Sequence, residues 1–415
     1  MLFYKILSVL AFPIIELWIF WRIYKKKDDR VRFKEKFGFA SCKRPKGDVV
    51  WIHGVSVGEA KSGLTLADEI LKRDDQVTIL LTTTTLTSAE IVASHAKKCG
   101  GRLIHQFCVI DMLYQVRRFF DFWQPKKVIF LESEIWPNLI YEAKRFGSKL
   151  YLVNSRMSDK STKRWSYLKY FFWGIFNKFD KIIAQSQDDK ARFEKLTKNK
   201  VEFVGNLKAQ IRKIEFDAEA LESLQKKIGK RPIFLAASTH RGEEEIIIET
   251  HHKLKKDFPN ILTILVVRHP NRAHEVESLL KGTNHAKRSR KEEVKDDKEL
   301  YLVDTIGELG MFYKLADFSF IGGSLKEIGG HNPLEAIMLD SAVISGEHVF
   351  NFREIYDELI QADSCIMVKD SSELYETARG FVQEPEKAKD LAKKAKGSVD
   401  LSRDVARNVV DLIGG

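Results

Sequence analysis

The sequence predicts an α/β protein made of two doubly wound parallel-sheet domains. From residue 49 short apolar runs alternate with longer amphipathic ones, and the series starts again at residue 232. A length of 415 residues is enough for two such domains, each with a full core.

In the first series, Val49–His53, 76–81, Lys127–Leu131, 149–153 and Lys181–Ala184 read as strands of a sheet buried on both faces. Helical patterns lie between them at 59–72, 88–98 and 139–145. In the second, strands are predicted at 233–237, Leu262–Val267, 301–303, Phe318–Ile321 and 342–345, and helices at 243–257, 307–316 and 352–360. The charged stretch 206–231 lacks a strand pattern and is read as the linker; 292–299 is read as a solvated loop. The predicted organisation is an anchor over 1–48, a first domain over 49–205, the linker, and a second domain over 232–415. Two nucleotide-type domains facing each other across a cleft form the GT-B arrangement, and its sites belong at the carboxyl ends of strands.

Residues 2–23 are apolar and aromatic, interrupted by Lys5, Pro13, Glu16 and Arg22. A spanning helix needs about 20 apolar residues, so the segment is marginal. No small-x-small cleavage site follows it. A basic run follows instead, with Lys25, Lys26, Lys27, Arg30, Arg32, Lys34 and Lys36. The expectation is an uncleaved anchor helix, spanning once or lying in the interface, that keeps the remaining chain in the cytoplasm. A hydrophobic core helix is the alternative. An aromatic, basic stretch at 163–179 is a second candidate for lipid contact, against a plain buried helix.

Lys plus Arg number 69 against 58 for Asp plus Glu, a formal charge of +11. That balance suits an anionic membrane, an acidic substrate or nucleic acid. Cys42, Cys99, Cys108 and Cys365 form neither a CxxC pair nor a zinc spacing, which fits a reduced, cytoplasmic compartment. There is no Asp-x-Asp triplet, HExxH motif or P-loop. Neither a metal at the nucleotide nor a cofactor is expected.

The most informative stretch is Gly322-Gly323-Ser324-Leu325-Lys326-Glu327-Ile328-Gly329-Gly330-His331-Asn332-Pro333-Leu334-Glu335. Its glycines allow sharp turns and close approach to a ligand. Asn332 fits an N-cap, Pro333 the first helical position and Glu335 the third, so the helix start could face a phosphate and the carboxylate a ribose. A capping box beside a surface turn explains the same residues without a ligand. Other strand-end candidates are His53-Gly54-Val55-Ser56-Val57-Gly58-Glu59, Glu132-Ser133-Glu134 and Asn154-Ser155-Arg156. Lys208 opens the linker and could offset charge on a leaving phosphate, or be a surface lysine. In the second domain Ser238-Thr239-His240-Arg241-Gly242-Glu243-Glu244, Val267-Arg268-His269-Pro270 and Asp304-Thr305-Ile306-Gly307-Glu308 converge on one rim. Arg268 suits a phosphate.

HxVSVGE, FLExEIWPN, NxRxS, GNLK, STHxGEE, RHP, DTxGEL, GGSL and GGHNPLE occur in one order. The set resembles the 3-deoxy-D-manno-octulosonic acid (Kdo) transferases of lipopolysaccharide assembly. The resemblance implies a metal-independent, inverting GT-B glycosyltransferase moving Kdo from CMP-Kdo to the lipid A precursor lipid IVA. It implies Glu59 as catalytic base and Glu132 and Lys208 as transition-state stabilisers. It implies Val267, Arg268, Ile306, Gly307, Glu308, Asn332, Pro333, Leu334 and Glu335 as CMP contacts. The family's usual Pro-Arg-His-Pro is Val267-Arg268-His269-Pro270 here, its Gly-Pro-His is Gly346-Glu347-His348, and its Thr-Gly pair is Thr87-Ser88. A bisphosphorylated acceptor in an anionic membrane accounts for the basic charge without nucleic acid. The rival readings are another GT-B enzyme with a different nucleotide sugar, and a non-enzymatic membrane or nucleic-acid binding protein.

Overall fold

The computed structural model describes residues 2–209, 214, 216–401 and 404–414. They divide into two compact units, Met1–Gln210 with Asp404–Gly415, and Ile211–Arg403.

The first unit is built on seven parallel strands: β1 (Val49–His53), β2 (Thr78–Thr83), β3 (Leu103–Phe107), β4 (Lys127–Leu131), β5 (Lys149–Ser155), β6 (Lys181–Ala184) and β7 (Val201–Phe203). Their order is β3-β2-β1-β4-β5-β6-β7. Val50 lies opposite Ile79 on one side and Lys127 on the other, so the winding reverses between β1 and β4. Side chains alternate across the sheet. Trp51 packs with Phe119, Phe120, Trp123 and Phe130 on one face, while Ile52 packs with Leu64, Ala67 and Leu81 on the other.

The second unit carries β8 (Ile233–Thr239), β9 (Leu262–Val267), β10 (His285–Lys287), β11 (Leu300–Val303), β12 (Phe318–Ile321), β13 (Ala342–Gly346) and β14 (Ile366–Val368). They are also parallel, in the order β10-β11-β9-β8-β12-β13-β14, so the reversal falls between β8 and β12. Phe234 and Phe318 stack across that junction with centroids 5.3 Å apart. Residues 292–299 form a loop, as expected.

Three expectations are corrected. The expected second domain, 232–415, loses its end to the first unit. The helix Val405–Ile413 buries Val405, Val409, Val410 and Ile413 against Ile52, Leu64 and Leu81 of the first sheet's core. Tyr151 donates its hydroxyl to the Ile413 carbonyl at 3.1 Å, and Arg73 pairs with Asp411 at 2.6 Å. The expected linker 206–231 contains a helix, Ala218–Ile228, which buries Leu224 and Ile228 and is capped by Asp217. Residues 210–213 and 215 of that linker lie outside the described residues.

The single anchor helix over 2–23 is instead two helices, Leu2–Leu10 and Phe12–Tyr24, bent by 52°. Pro13 sits in the first turn of the second, where its missing N–H costs nothing and the preceding helix stops. No single helix among the described residues is long and apolar enough to cross a membrane. The segment docks on the first unit. Tyr4 donates to Asp111 at 2.8 Å and Asn138 to Ser8 at 3.3 Å. The basic run is partly committed to the fold: Arg22 and Lys36 pair with buried Asp28, and Arg32 pairs with buried Glu35. Ile14, Leu17, Trp18, Trp21 and Tyr24 stay exposed. The 163–179 stretch divides similarly. Trp165 stacks on Phe172 at 4.6 Å and Phe176 is buried, while Tyr167, Leu168 and Tyr170 are exposed.

Candidate active site

In the first unit the loops after β1, β4 and β5 meet at the reversal point. The chain turns at Gly54, where a Cβ would stand 2.8 Å from the Cβ of Glu59, so only glycine fits. Ser56 then caps the helix Val57–Arg73, accepting the Glu59 N–H at 3.3 Å, and the Glu59 carboxylate returns the bond to Ser56 N–H at 3.3 Å. Glu59 Oε2 also accepts the Val55 N–H. Burial pushes the Glu59 carboxyl above its ordinary range. The Val55 N–H opposes the shift, while the nearby Glu132 and Glu134 reinforce it.

Glu132 follows β4 with φ 53°, a left-handed conformation that costs about 1–2 kcal/mol in a non-glycine residue. Asn154 sits at the bulge near the end of β5 with φ 54°, and its side chain accepts the Leu207 N–H at 2.8 Å. That bond fixes the turn carrying Lys208. Lys208 Nζ reaches Glu132 Oε1 at 2.6 Å, with the carboxylate side chain 9% exposed. A Cβ on Gly58 would lie 3.6 Å from Lys208 Cε, so the lysine stem passes over the start of the Glu59 helix. Glu59, Glu132 and Lys208, scattered in sequence, are therefore neighbours.

In the second unit Val267 ends β9 buried, and Arg268 is exposed with its N–H on the Thr239 carbonyl at 3.0 Å. Ile306 is 85% exposed and Gly307 turns at φ 93°. The Glu308 carboxylate is taken by Arg288 and Thr305.

The glycine stretch differs from expectation in two respects. Its first N–H groups are already used: Gly323 and Ser324 donate to Glu243 at 2.7 and 2.9 Å, and Leu325 at 3.0 Å. Gly322 is required because a Cβ would stand 2.5 Å from the Ser238 carbonyl oxygen. These glycines serve close packing of backbone on backbone and on the Glu243 carboxylate, and not the approach to a ligand that was expected of them. The helix is also short, Leu334–Met338, and Pro333 is its N-cap rather than its first residue. The reason is local. Asn332 accepts the Leu334 N–H at 3.0 Å in a turn one residue early, which shifts Glu335 from third to second position.

The sequence model described as "3-Deoxy-D-manno-octulosonic-acid transferase (kdotransferase)" matches residues 31–211. The 3-deoxy-D-manno-octulosonic acid transferase of Rickettsia bellii (strain RML369-C) is 34% identical over 390 residues, covering 94% of this chain and 92% of the relative. This chain belongs to the Kdo transferase family. The Haemophilus influenzae (strain ATCC 51907 / DSM 11121 / KW20 / Rd) transferase is also 34% identical, over 91% of this chain and 89% of its own. The fold is that of a glycosyltransferase from Rickettsia africae ESF-5, with a TM-score of 0.61 at 12% identity, covering 89% of this chain and 98% of that one.

Among the described residues of this Kdo transferase, Asp68, His95 and Cys99 form a group whose ligand atoms lie within 4.8 Å of one another. It sits on the helices Val57–Arg73 and Leu86–Ala96 and their continuation; Asp68 is nine residues beyond Glu59, about 13 Å along the helix. It is no part of the Glu59 site. Sequence reasoning placed His53 and Trp136 inside motifs without giving either a role, and it missed Asp111 altogether; all three support that site. His53 is fully buried, with Nδ1 2.9 Å from Thr82 Oγ1 and Nε2 3.6 Å from Glu134 Oε2. Trp136 Nε1 holds the same Glu134 oxygen at 2.6 Å. Asp111 accepts the N–H groups of Asn138 and Leu139 at 3.1 and 2.7 Å, capping the helix that follows Glu134. A lone aspartate in Val109-Ile110-Asp111 carried no spacing signal.

Proposed function

We propose that this protein moves Kdo from CMP-Kdo to lipid IVA, the tetraacyldisaccharide 4′-bisphosphate precursor of lipid A, by a metal-independent inverting displacement. Kdo transfer in lipopolysaccharide core biosynthesis follows from the family; the acceptor, the donor nucleotide and the residue roles are this proposal. One observation carries the roles: a buried carboxylate with raised affinity for a proton, Glu59, stands beside a lysine held at 2.6 Å by a second carboxylate.

Glu59 is the base. Its Oε2 is held by the Val55 and Ser56 N–H groups, so Oε1 is the oxygen turned to the acceptor hydroxyl. As that hydroxyl oxygen bonds to the anomeric carbon, its proton passes to Glu59. The bond from the anomeric carbon to the phosphate oxygen breaks, and the electron pair leaves with CMP. A carboxyl pushed above its ordinary range is a stronger base in its ionised form. Lys208, set by Glu132, and Arg268 offset the charge gathering on the departing phosphate. Val267, Ile306, Gly307, Glu308, Asn332, Pro333, Leu334 and Glu335 contact CMP.

The chain works on the cytoplasmic face of the inner membrane. Support comes from the exposed Ile14, Leu17, Trp18, Trp21 and Tyr24 beside the exposed Lys25, Lys26 and Lys27, a pairing suited to an anionic interface. Purified protein, CMP-Kdo and lipid IVA in detergent should yield a product heavier by whole Kdo units, read by mass spectrometry. Turnover of another nucleotide sugar and none of CMP-Kdo would assign a different donor.

A further inference from the structure

Three strand-end loops of the second unit set three imidazoles and two guanidiniums around one point. His240 follows β8, Arg268, His269 and Arg272 follow β9, and His331 lies in the loop after β12. His240 Nε2 and His331 Nε2 are 2.9 Å apart. The ring planes lie within 14° of each other and the centroids are 5.1 Å apart, so the contact is an in-plane hydrogen bond and not a face stack. One ring therefore carries the Nε2 proton and the other accepts it. His269 stands edge-on to His240, centroids 5.3 Å apart. Gly323 makes room for the pair: a Cβ there would lie 3.2 Å from His331 Nε2.

The charges that shift the two rings are cationic, and the one carboxylate beside them, Glu243, is engaged by backbone N–H groups. Burial, then His269, Arg268 and Arg272, hold His240 down to about 4. Burial, then Arg268, His240 and His269, hold His331 down to about 3. The carboxylates of the surrounding loops are committed elsewhere. Glu243 takes four backbone N–H groups, and Glu244 and Glu275 pair with Arg272 at 3.0 and 3.3 Å. Arg241 pairs with Glu275, and Lys326 crosses over Gly242, adding a cation from the third loop. The cluster is half-buried and opens to solvent at Arg268 and His269. It is short of one anion.

We propose that His240 and His331, with His269 and Arg268, bind an anionic oxygen group of the donor, and that the imidazole pair takes a proton from solvent as that group binds. The added proton turns an imidazole–imidazole bond into an imidazolium–imidazole bond, which keeps the Nε2···Nε2 contact and places a positive charge against the ligand. The proposal rests on the CMP-Kdo reading above. Two groups of that donor offer the chemistry, the phosphate and the carboxylate of the octulosonic acid.

The test is titration calorimetry of the full chain with CMP and with CMP-Kdo, each in two buffers of different ionisation enthalpy. The window is between about pH 6 and 7, where one opposite charge that raises an imidazole held near 4 by about 1–3 pH units can protonate it. There the phosphodiester and carboxylate of CMP-Kdo are fully ionised, and the proton of CMP's own monoester is measured on free CMP and subtracted. The expected result is uptake of up to about one proton per donor bound. Uptake with CMP assigns the phosphate; uptake with CMP-Kdo alone assigns the carboxylate. His331→Gln and His240→Gln should abolish uptake and weaken donor binding by about 10- to 100-fold, with melting curves checking that they fold. Binding of CMP-Kdo without proton uptake, or uptake unchanged in both folded variants, overturns the proposal. Failure of both ligands to bind overturns the donor reading itself.

Discussion

Lys208 Nζ and Glu132 Oε1 lie 2.6 Å apart, although one side chain opens the segment after β7 and the other leaves β4 in a left-handed turn. The pair is a built feature. Asn154, itself left-handed, holds the Leu207 N–H, and the lysine stem passes over the helix start at Gly58. A charge pair placed with this much backbone strain is worth testing for chemistry before stability.

Lys208→Met should lower kcat by about 10²–10³, the usual worth of one group that stabilises transition-state charge. It should also destabilise the fold, because Glu132 is left buried without its counter-charge, at a cost of about 1–3 kcal/mol. Lys208→Met with Glu132→Gln removes the orphan charge. Its melting temperature should recover towards the parent while its turnover stays low. If turnover recovers with stability, the pair is structural only.

Glu59→Gln keeps the size of the side chain and an oxygen for the cap, but cannot take a proton. It should bind CMP normally and lose about 10²–10⁴ in kcat. The pH dependence is set by the upward shift of the carboxyl. A base works only when ionised, so kcat/KM should fall as pH drops through a value above the ordinary carboxylate range. The stability sign is opposite to that of a paired carboxylate. The folded protein holds the Glu59 proton more tightly than the unfolded chain, so this residue's contribution is present at low pH and lost as pH rises through the folded value. An acid limb that persists unchanged in the Gln variant would assign it to another group.

How far the sequence could be read depended on which interactions are local. β1, β4, β5 and β6 were legible because a parallel strand buried on both faces is a continuous apolar run. β3 was not, since Leu103–Phe107 carries His105 and Gln106, and β7 and β10 are three-residue edge strands. The apolar periodicity of Val405–Ile413 marks a helix but cannot say which sheet it covers. Ordered strand-end motifs located Glu59, Glu132 and Lys208. They could not reveal that the Glu243 carboxylate occupies the glycine loop, or that His240 meets His331 from 91 residues away. Both depend on the register of β8 against β12.

Asp111 links the amino-terminal helices to the Glu132–Glu134 loop, since it takes the Tyr4 hydroxyl and caps the helix Pro137–Arg145. Burial raises its pKa to about 6 against those hydrogen bonds and the opposing His53. The folded value exceeds the unfolded one, so its contribution is complete below about pH 4 and lost as pH rises through about 6. Asp111→Asn should therefore gain stability relative to the parent as pH rises across that window, followed by melts from pH 4 to 8. Tyr4→Phe removes one of the opposing bonds and should move the window upward. A difference between parent and Asn variant that does not change with pH would mean that Asp111 stays ionised throughout.

Glu243 offers the sharpest test of the second unit. It is fully buried, and its two oxygens share four backbone donors evenly. Oε2 takes Gly323 N–H at 2.7 Å and His240 N–H at 2.9 Å; Oε1 takes Ser324 N–H at 2.9 Å and Leu325 N–H at 3.0 Å. Glu243→Gln replaces one oxygen with a donor, so two of the four N–H groups lose their acceptor whichever way the amide turns. At about 1–3 kcal/mol for each orphaned donor, stability should fall by about 2–6 kcal/mol. The loops carrying His240 and Gly323 would shift together, and CMP affinity should fall by at least about tenfold at a temperature where the variant remains folded. Glu244 is an internal control of equal burial on the same turn, bonded to Arg272 instead of to the loop. Glu244→Gln should cost stability with a smaller loss of CMP affinity. Urea unfolding and CMP titration of the two variants separate the cases: equal CMP affinity in both would mean that the glycine loop does not shape the donor site.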